Sequence, residues 1–135
     1  MAISRQLVLD SWAVLAFFEN EPSGQKAADI IADANEQGIS LLMCPVNAGE
    51  VWYITARQTS DAQADQLIRE VENLGIEIVA VDWNMAREAA MIKSRVKMSY
   101  ADCFAFALAK LHQAELVTGD PEFKQLERQI KIRWI

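Results

Sequence analysis

At 135 residues, with 52 % apolar and 24 % charged side chains and a net charge of −6, the chain has the size and make-up of one globular domain spanning 1–135. It reads as neither a disordered tail nor a membrane protein. The acidic balance (pI ≈ 4.8) opposes a passive nucleic-acid-binding module, because phosphates are repelled at long range.

The same balance allows a metal-dependent nuclease, in which bound cations and local basic residues offset the field, and it suits a basic protein partner. No apolar run approaches the ~20 residues of a membrane helix. The start, MAISRQLVLDSW, is too short and too quickly polar for a secretory signal. The expectation is a cytoplasmic protein without membrane contact. Cys44 and Cys103 lack metal-ligand spacing and are expected as small buried hydrophobes, not a disulfide.

Leu7 to Leu9 is a short apolar run that predicts a buried strand. Asp10-Ser11 then supplies helix caps, and Trp12, Leu15, Ala16 and Phe18 follow at helical spacing. Glu19 to Gly24 reads as a turn. Ser23 is the expected cap of a second helix, with Ala27, Ile30, Ile31 and Ala34 on its apolar face and Gly38 as its stop. Ile39 to Met43 predicts a second strand, and Pro45 opens a helix to about Gln58. Ser60 and Gln63 form a capping box for a fourth helix that ends at Gly75. Ile76 to Val81 predicts a third strand, and Asp82 caps a helix to about Val96. Ser99 and Asp102 form another capping box, opening the apolar helix DCFAFALAKLH. Leu116 to Thr118 predicts a fourth strand, followed by a turn at Gly119-Asp120-Pro121 and a short helix. Ile130 to Trp134 predicts a fifth strand at an edge.

This alternation defines a three-layer α/β/α domain with a mostly parallel sheet of about five strands. In such sheets ligands bind outside the carboxyl ends of the strands. Four acids fall at or near that edge: Asp10 after the first strand, Glu50 early in the helix after the second, Asp102 in the first turn of the helix before the fourth, and Asp120 after the fourth. Each alone reads equally as a cap, a turn residue or a helix-start carboxylate. Glu50 is the least ordinary, because the run from Leu41 to Ala56 is otherwise uncharged.

Together they carry a cost. Four ionised carboxylates ~6 Å apart repel by ~3 kcal/mol per pair at an effective dielectric of ~20. Six such pairs approach ~17 kcal/mol, comparable with a whole domain's stability of ~5–15 kcal/mol. The group therefore binds a cation or holds protons at raised pKa. An all-oxygen set favours Mg²⁺ or Mn²⁺, ions suited to phosphoryl chemistry.

The segments VLDSWAVLAFFENEPS, VNAGEVWYITAR, SYADCFAFALAK and ELVTGDPEF, in this order and spacing, resemble the PIN domain, and more narrowly the VapC-type toxins of type II toxin–antitoxin pairs. The resemblance covers nearly the whole chain. It implies a Mg²⁺- or Mn²⁺-dependent endoribonuclease that cuts single-stranded RNA and leaves a 5′-phosphate. The family's acidic quartet falls on Asp10, Glu50, Asp102 and Asp120, with Asp10 and Asp102 as the main metal ligands and Glu50 and Asp120 completing the site. Thr118 resembles the small hydroxyl residue before the last acid. Ser11 and Asn47 are supporting candidates, equally readable as capping residues. The resemblance also implies a homodimer and a small antitoxin with a basic segment.

Lys93, Arg95 and Lys97 precede the Asp102 helix and are candidates for holding RNA phosphates; a solvated helix face explains them as well. Glu122 reads as a surface helix-start carboxylate. His112 lies nearly three turns beyond Asp102 and is not expected in catalysis. Trp12 and Trp52 are expected near the active edge. A receiver domain would need a lysine just after its last strand, and a haloacid-dehalogenase-type phosphatase would need Asp where Trp12 stands. A PIN nuclease of RNA processing and a silent protein-binding domain are the remaining alternatives.

Overall fold

The computed structural model describes residues 5–20 and 22–135. Met1–Ser4 and Glu21, which the sequence reading included in the lead-in to the first strand and in the turn after the first helix, lie outside the described residues. The elements are β1 (Gln6–Leu9), α1 (Ser11–Phe18), α2 (Pro22–Gln37), β2 (Ser40–Met43), α3 (Pro45–Gln58), α4 (Asp61–Asn73), β3 (Ile76–Ile78), α5 (Trp83–Lys93), α6 (Tyr100–His112), β4 (Glu115–Thr118), a 3₁₀ turn (Pro121–Leu126) and β5 (Ile132–Trp134).

The five strands form one sheet in the order β3-β2-β1-β4-β5, and every pair is parallel. Strand alternation divides the core. Val8, Leu42 and Leu116 face one way and pack with Met85, Ala89 and Ile92 of α5 and Phe104 to Ala109 of α6. Leu7, Leu9, Leu41, Met43 and Val117 face the other way, against Ala13 and Val14 of α1, Ile31 and Ala34 of α2, Val51 of α3 and Val71 of α4. Helices thus cover both faces, giving the expected three layers. No helix among the described residues is long and apolar enough to cross a membrane.

This strand order sets the site. The chain winds outward from β1 through β2 to β3, then crosses back to place β4 on the other side of β1. The reversal lies between the carboxyl ends of β1 and β4, where doubly wound sheets open a binding crevice. Asp10 follows β1 directly and Asp120 lies two residues past β4.

Several boundaries differ from the sequence reading. The second helix begins at Pro22, with Gly24 inside its first turn. Proline is preorganised for a helix start, and Gly24 allows α2 to lie against α1, because a Cβ there would overlap the Ala16 carbonyl. The third strand stops at Ile78, although Val79 N still donates to Met43 O at 3.0 Å. The fifth helix ends at Lys93, whose ammonium donates to the Met98 carbonyl at 2.5 Å and ties down the loop before α6. The fifth strand is at an edge, as expected, but begins at Ile132, because Ile130 is buried in the α5–α6 side of the core. Cys44 and Cys103 are free and buried, and burial raises both thiol pKa values.

Candidate metal centre

Each acid is placed by a local rule of chain geometry. Asp10 is the N-cap of α1, and its Oδ1 accepts from Ala13 N at 2.8 Å. Its Oδ2 accepts from the Thr118 hydroxyl at 2.5 Å, so β1 and β4 are joined side chain to side chain across the reversal. The same hydroxyl oxygen accepts from Asp120 N at 3.1 Å. Asp120 caps the 3₁₀ turn, its Oδ1 accepting from Glu122 N at 3.0 Å. Asp102 sits in the first turn of α6, where Ser99 caps its amide at 3.1 Å. Glu50 lies two turns into α3, and its Oε1 accepts from Ser11 Oγ. Ser11 and Thr118 thus each donate a hydrogen bond to a carboxylate of another element, Glu50 and Asp10 respectively.

Burial dominates the electrostatics, and like charge adds to it. Asp10 is 1 % exposed and Asp102 9 %. Burial pushes Asp10 from its ordinary value near 3.8 up to about 7; the hydrogen bonds from Thr118 and Ala13 oppose the rise, and the charges of Asp102 and Asp120 add to it. Burial likewise pushes Asp102 up to about 6, opposed by Ser99 and reinforced by Asp120, Glu50 and Glu122. These carboxyls have few protein cations to answer them, the condition under which a site takes a proton or a metal.

Asp102, Asp120 and Glu122 each offer a carboxylate oxygen, and the three lie within 4.8 Å of one another. The all-oxygen donor chemistry fits a hard divalent cation such as Mg²⁺ or Mn²⁺. Glu122 is exposed at the start of the 3₁₀ turn, as the sequence reading had it, yet it also joins the cluster. The signal was its spacing: two residues after a capping Asp, the tight turn brings both carboxylates to one side.

The other candidates are distributed as follows. Asn47 is fully buried, and its Nδ2 donates to the Ala101 carbonyl at 3.0 Å. Lys93 closes the α5–α6 loop, and Lys93, Arg95 and Lys97 are all exposed. Trp12 lies against Gly119, where a Cβ would overlap its indole, so it roofs the residue before Asp120. Trp52 instead bonds Asp65, at 2.9 Å, and joins α3 to α4. His112 contacts Gln6 Oε1 at 3.2 Å, at the amino end of β1 and away from the acids. A cavity of about 380 Å³ opens at that same amino edge beside Arg5, Lys110 and Glu115, without any acid of the cluster.

A doubly wound parallel sheet that gathers carboxylates from separate elements at its reversal point defines an α/β domain with an acidic, cation-seeking site. The chain belongs to the PIN domain family, whose sequence profile matches residues 7–129. A search of curated protein sequences gives no match. Solved structures share the fold. The DNA-bound VapBC of Salmonella typhimurium matches with 13 % identity over 96 % of this chain and 97 % of that one, at a TM-score of 0.75. VapBC2 of Rickettsia felis, bound to a promoter DNA fragment, matches with 13 % identity over 95 % and 97 %, at 0.73. VapC20 of Mycobacterium tuberculosis, described as a sarcin-ricin-loop-cleaving toxin, matches with 16 % identity over 88 % and 93 %, at 0.70.

Proposed function

We propose that this protein is a Mg²⁺- or Mn²⁺-dependent endoribonuclease acting as the toxin of a VapBC-type pair. The observation that carries the reading is the junction of Asp10, Thr118 and Asp120 across the β1–β4 reversal, with Asp102 charge-coupled to them and Glu50 coupled to Asp102. Asp10, Asp102 and Asp120 would hold the cation, with Glu50 and Glu122 at its margin. When bound, a divalent cation neutralises phosphate charge and lowers the pKa of an attacking water.

The protein's own residues prepare the site. Thr118 holds one Asp10 oxygen in place and leaves the carboxylate little rotational freedom. Ser11 does the same for Glu50. Burial keeps water from screening the acids and so raises their affinity for a cation. In the reaction, water adds to phosphorus and the P–O3′ bond breaks, leaving 5′-phosphate and 3′-hydroxyl ends. Exposed Lys93, Arg95 and Lys97 are proposed contacts for the RNA backbone.

The proposed partners are RNA, a second copy of the chain and a small antitoxin with a basic segment. Such a segment suits a chain of net charge −6, and the toxin–antitoxin complexes that share the fold are consistent with it. The proposed compartment is the cytoplasm.

The test is cleavage of total RNA and intact ribosomes by the partner-free protein in Mg²⁺, Mn²⁺ or EDTA, beside Asp102→Asn. The expected result is discrete metal-dependent fragments that the variant loses by at least about 100-fold. Full activity in Asp102→Asn would remove the site assignment. Absence of cleavage by a folded, Mn²⁺-binding protein would point to another phosphoryl substrate. Absence of metal binding would favour a silent protein-binding domain.

A further inference from the structure

Beside the carboxylates lies a buried polar group that the fold satisfies only in part. Asn47 is 0 % exposed. Its Nδ2 donates to the Ala101 carbonyl, and its Oδ1 has no partner among the described residues. The orientation is fixed by chemistry, since only the NH₂ end of the amide can face a carbonyl. A buried acceptor left unpaired lowers stability, and folded domains keep few of them. An apolar side chain of similar volume would remove that penalty, so stability alone does not account for an asparagine here.

Its neighbours supply another account. Glu50 is three residues further along α3, on the same side of the helix. Ala101 immediately precedes Asp102 in α6. One side-chain amide therefore links the helix that carries Glu50 to the backbone that carries Asp102. The other end-group of α3 adds no tether, because its N-cap, Cys44, makes no side-chain capping bond. Meanwhile the Glu50 and Asp102 carboxylates repel each other, a force that pushes α3 and α6 apart. The Asn47–Ala101 bond opposes that separation directly.

We propose that Asn47 is a positioning residue that fixes the spacing of Glu50 and Asp102 for cation binding. The inference rests on the metal-centre reading and is tested by metal affinity, without RNA. Mn²⁺ titration calorimetry and thermal unfolding in EDTA would compare the wild type with Asn47→Leu, which removes donor and acceptor together. The expected result is an Asn47→Leu protein that unfolds at or above the wild-type temperature yet binds Mn²⁺ about 10–100-fold more weakly, the loss typical of groups that orient metal ligands.

A merely structural asparagine would behave in the opposite way, with lower thermal stability and unchanged Mn²⁺ affinity in the folded protein. Should Asn47→Leu fail to fold, Asn47→Thr, whose hydroxyl is one bond shorter than the amide reach, must show the same loss of affinity. Wild-type Mn²⁺ affinity in the folded variant overturns the role of Asn47 and leaves the nuclease reading standing. A wild type that binds no Mn²⁺ overturns both.

Discussion

Replacing Asp10 with asparagine should stabilise the metal-free protein at alkaline pH while abolishing the metal-dependent cleavage proposed for it. Asp10 is raised from near 3.8 to about 7, chiefly by burial. Between those values the folded state holds a proton that the unfolded state releases. The slope of stability with pH is therefore negative, and wild-type stability falls as pH rises from about 4 to about 7. At about 1.4 kcal/mol per tenfold change in proton affinity, ionised Asp10 costs the fold about 4 kcal/mol above pH 7.

Asparagine removes this cost. Its oxygen can still accept from Ala13 N and its NH₂ can face the Thr118 oxygen, but the charge-assisted character of both bonds is lost, which offsets about 1–2 kcal/mol. The net gain of about 2–3 kcal/mol corresponds to roughly 6–10 °C in a domain of this size. Thermal unfolding of both proteins in EDTA from pH 5 to pH 8 measures it. The gap should be widest at pH 8 and shrink toward pH 5. Excess Mn²⁺ should restore the wild type and not the variant, because a ligand that binds only the folded state stabilises it by mass action. A gap that is absent at pH 8, or equal at both pH values, refutes the claim that ionising the buried Asp10 carboxyl destabilises the fold.

The other substitutions separate positioning from ligation. Thr118→Val keeps the shape but removes the hydroxyl that serves both Asp10 and Asp120. Steady-state kinetics should show kcat/KM lowered by about tenfold, the worth of a hydrogen bond to a charged group, and retained activity would exclude a positioning role. Glu122→Gln should weaken Mn²⁺ binding several-fold by calorimetry while leaving the fold intact, since Glu122 is exposed and its capping contact uses only its backbone amide. Gly24→Ala drives a Cβ into the Ala16 carbonyl. Urea denaturation should show a loss of about 1–3 kcal/mol, typical of overpacking, and an unchanged midpoint would show that α2 can move aside.

How far the acids were readable from the sequence follows from what a parallel sheet does. Strands that all run the same way end at the same edge, so a polar residue directly after an apolar run is placed at that edge by topology alone. That rule reaches Asp10 and Asp120 without knowledge of strand order, and capping chemistry reaches Asp102 through Ser99. It cannot show that β4 lies beside β1. The adjacency creates the bond between Thr118 and Asp10, 108 residues apart, and makes four edge residues into one electrostatic unit.

The helix tethers were hidden for the same reason. Nothing local to Asn47 or Ser11 indicates that the first meets the Ala101 carbonyl or that the second meets Glu50. Glu122 was hidden differently, since its exposure and its place at a helix start are both real and both ordinary. Only the tightness of the 3₁₀ turn adds it to the cluster. The positions of the acidic charges therefore follow from where secondary structure begins and ends. The groups that hold those charges in register follow from which elements become neighbours, and for that reason Thr118, Ser11 and Asn47 are the residues whose substitution best tests the architecture of the site.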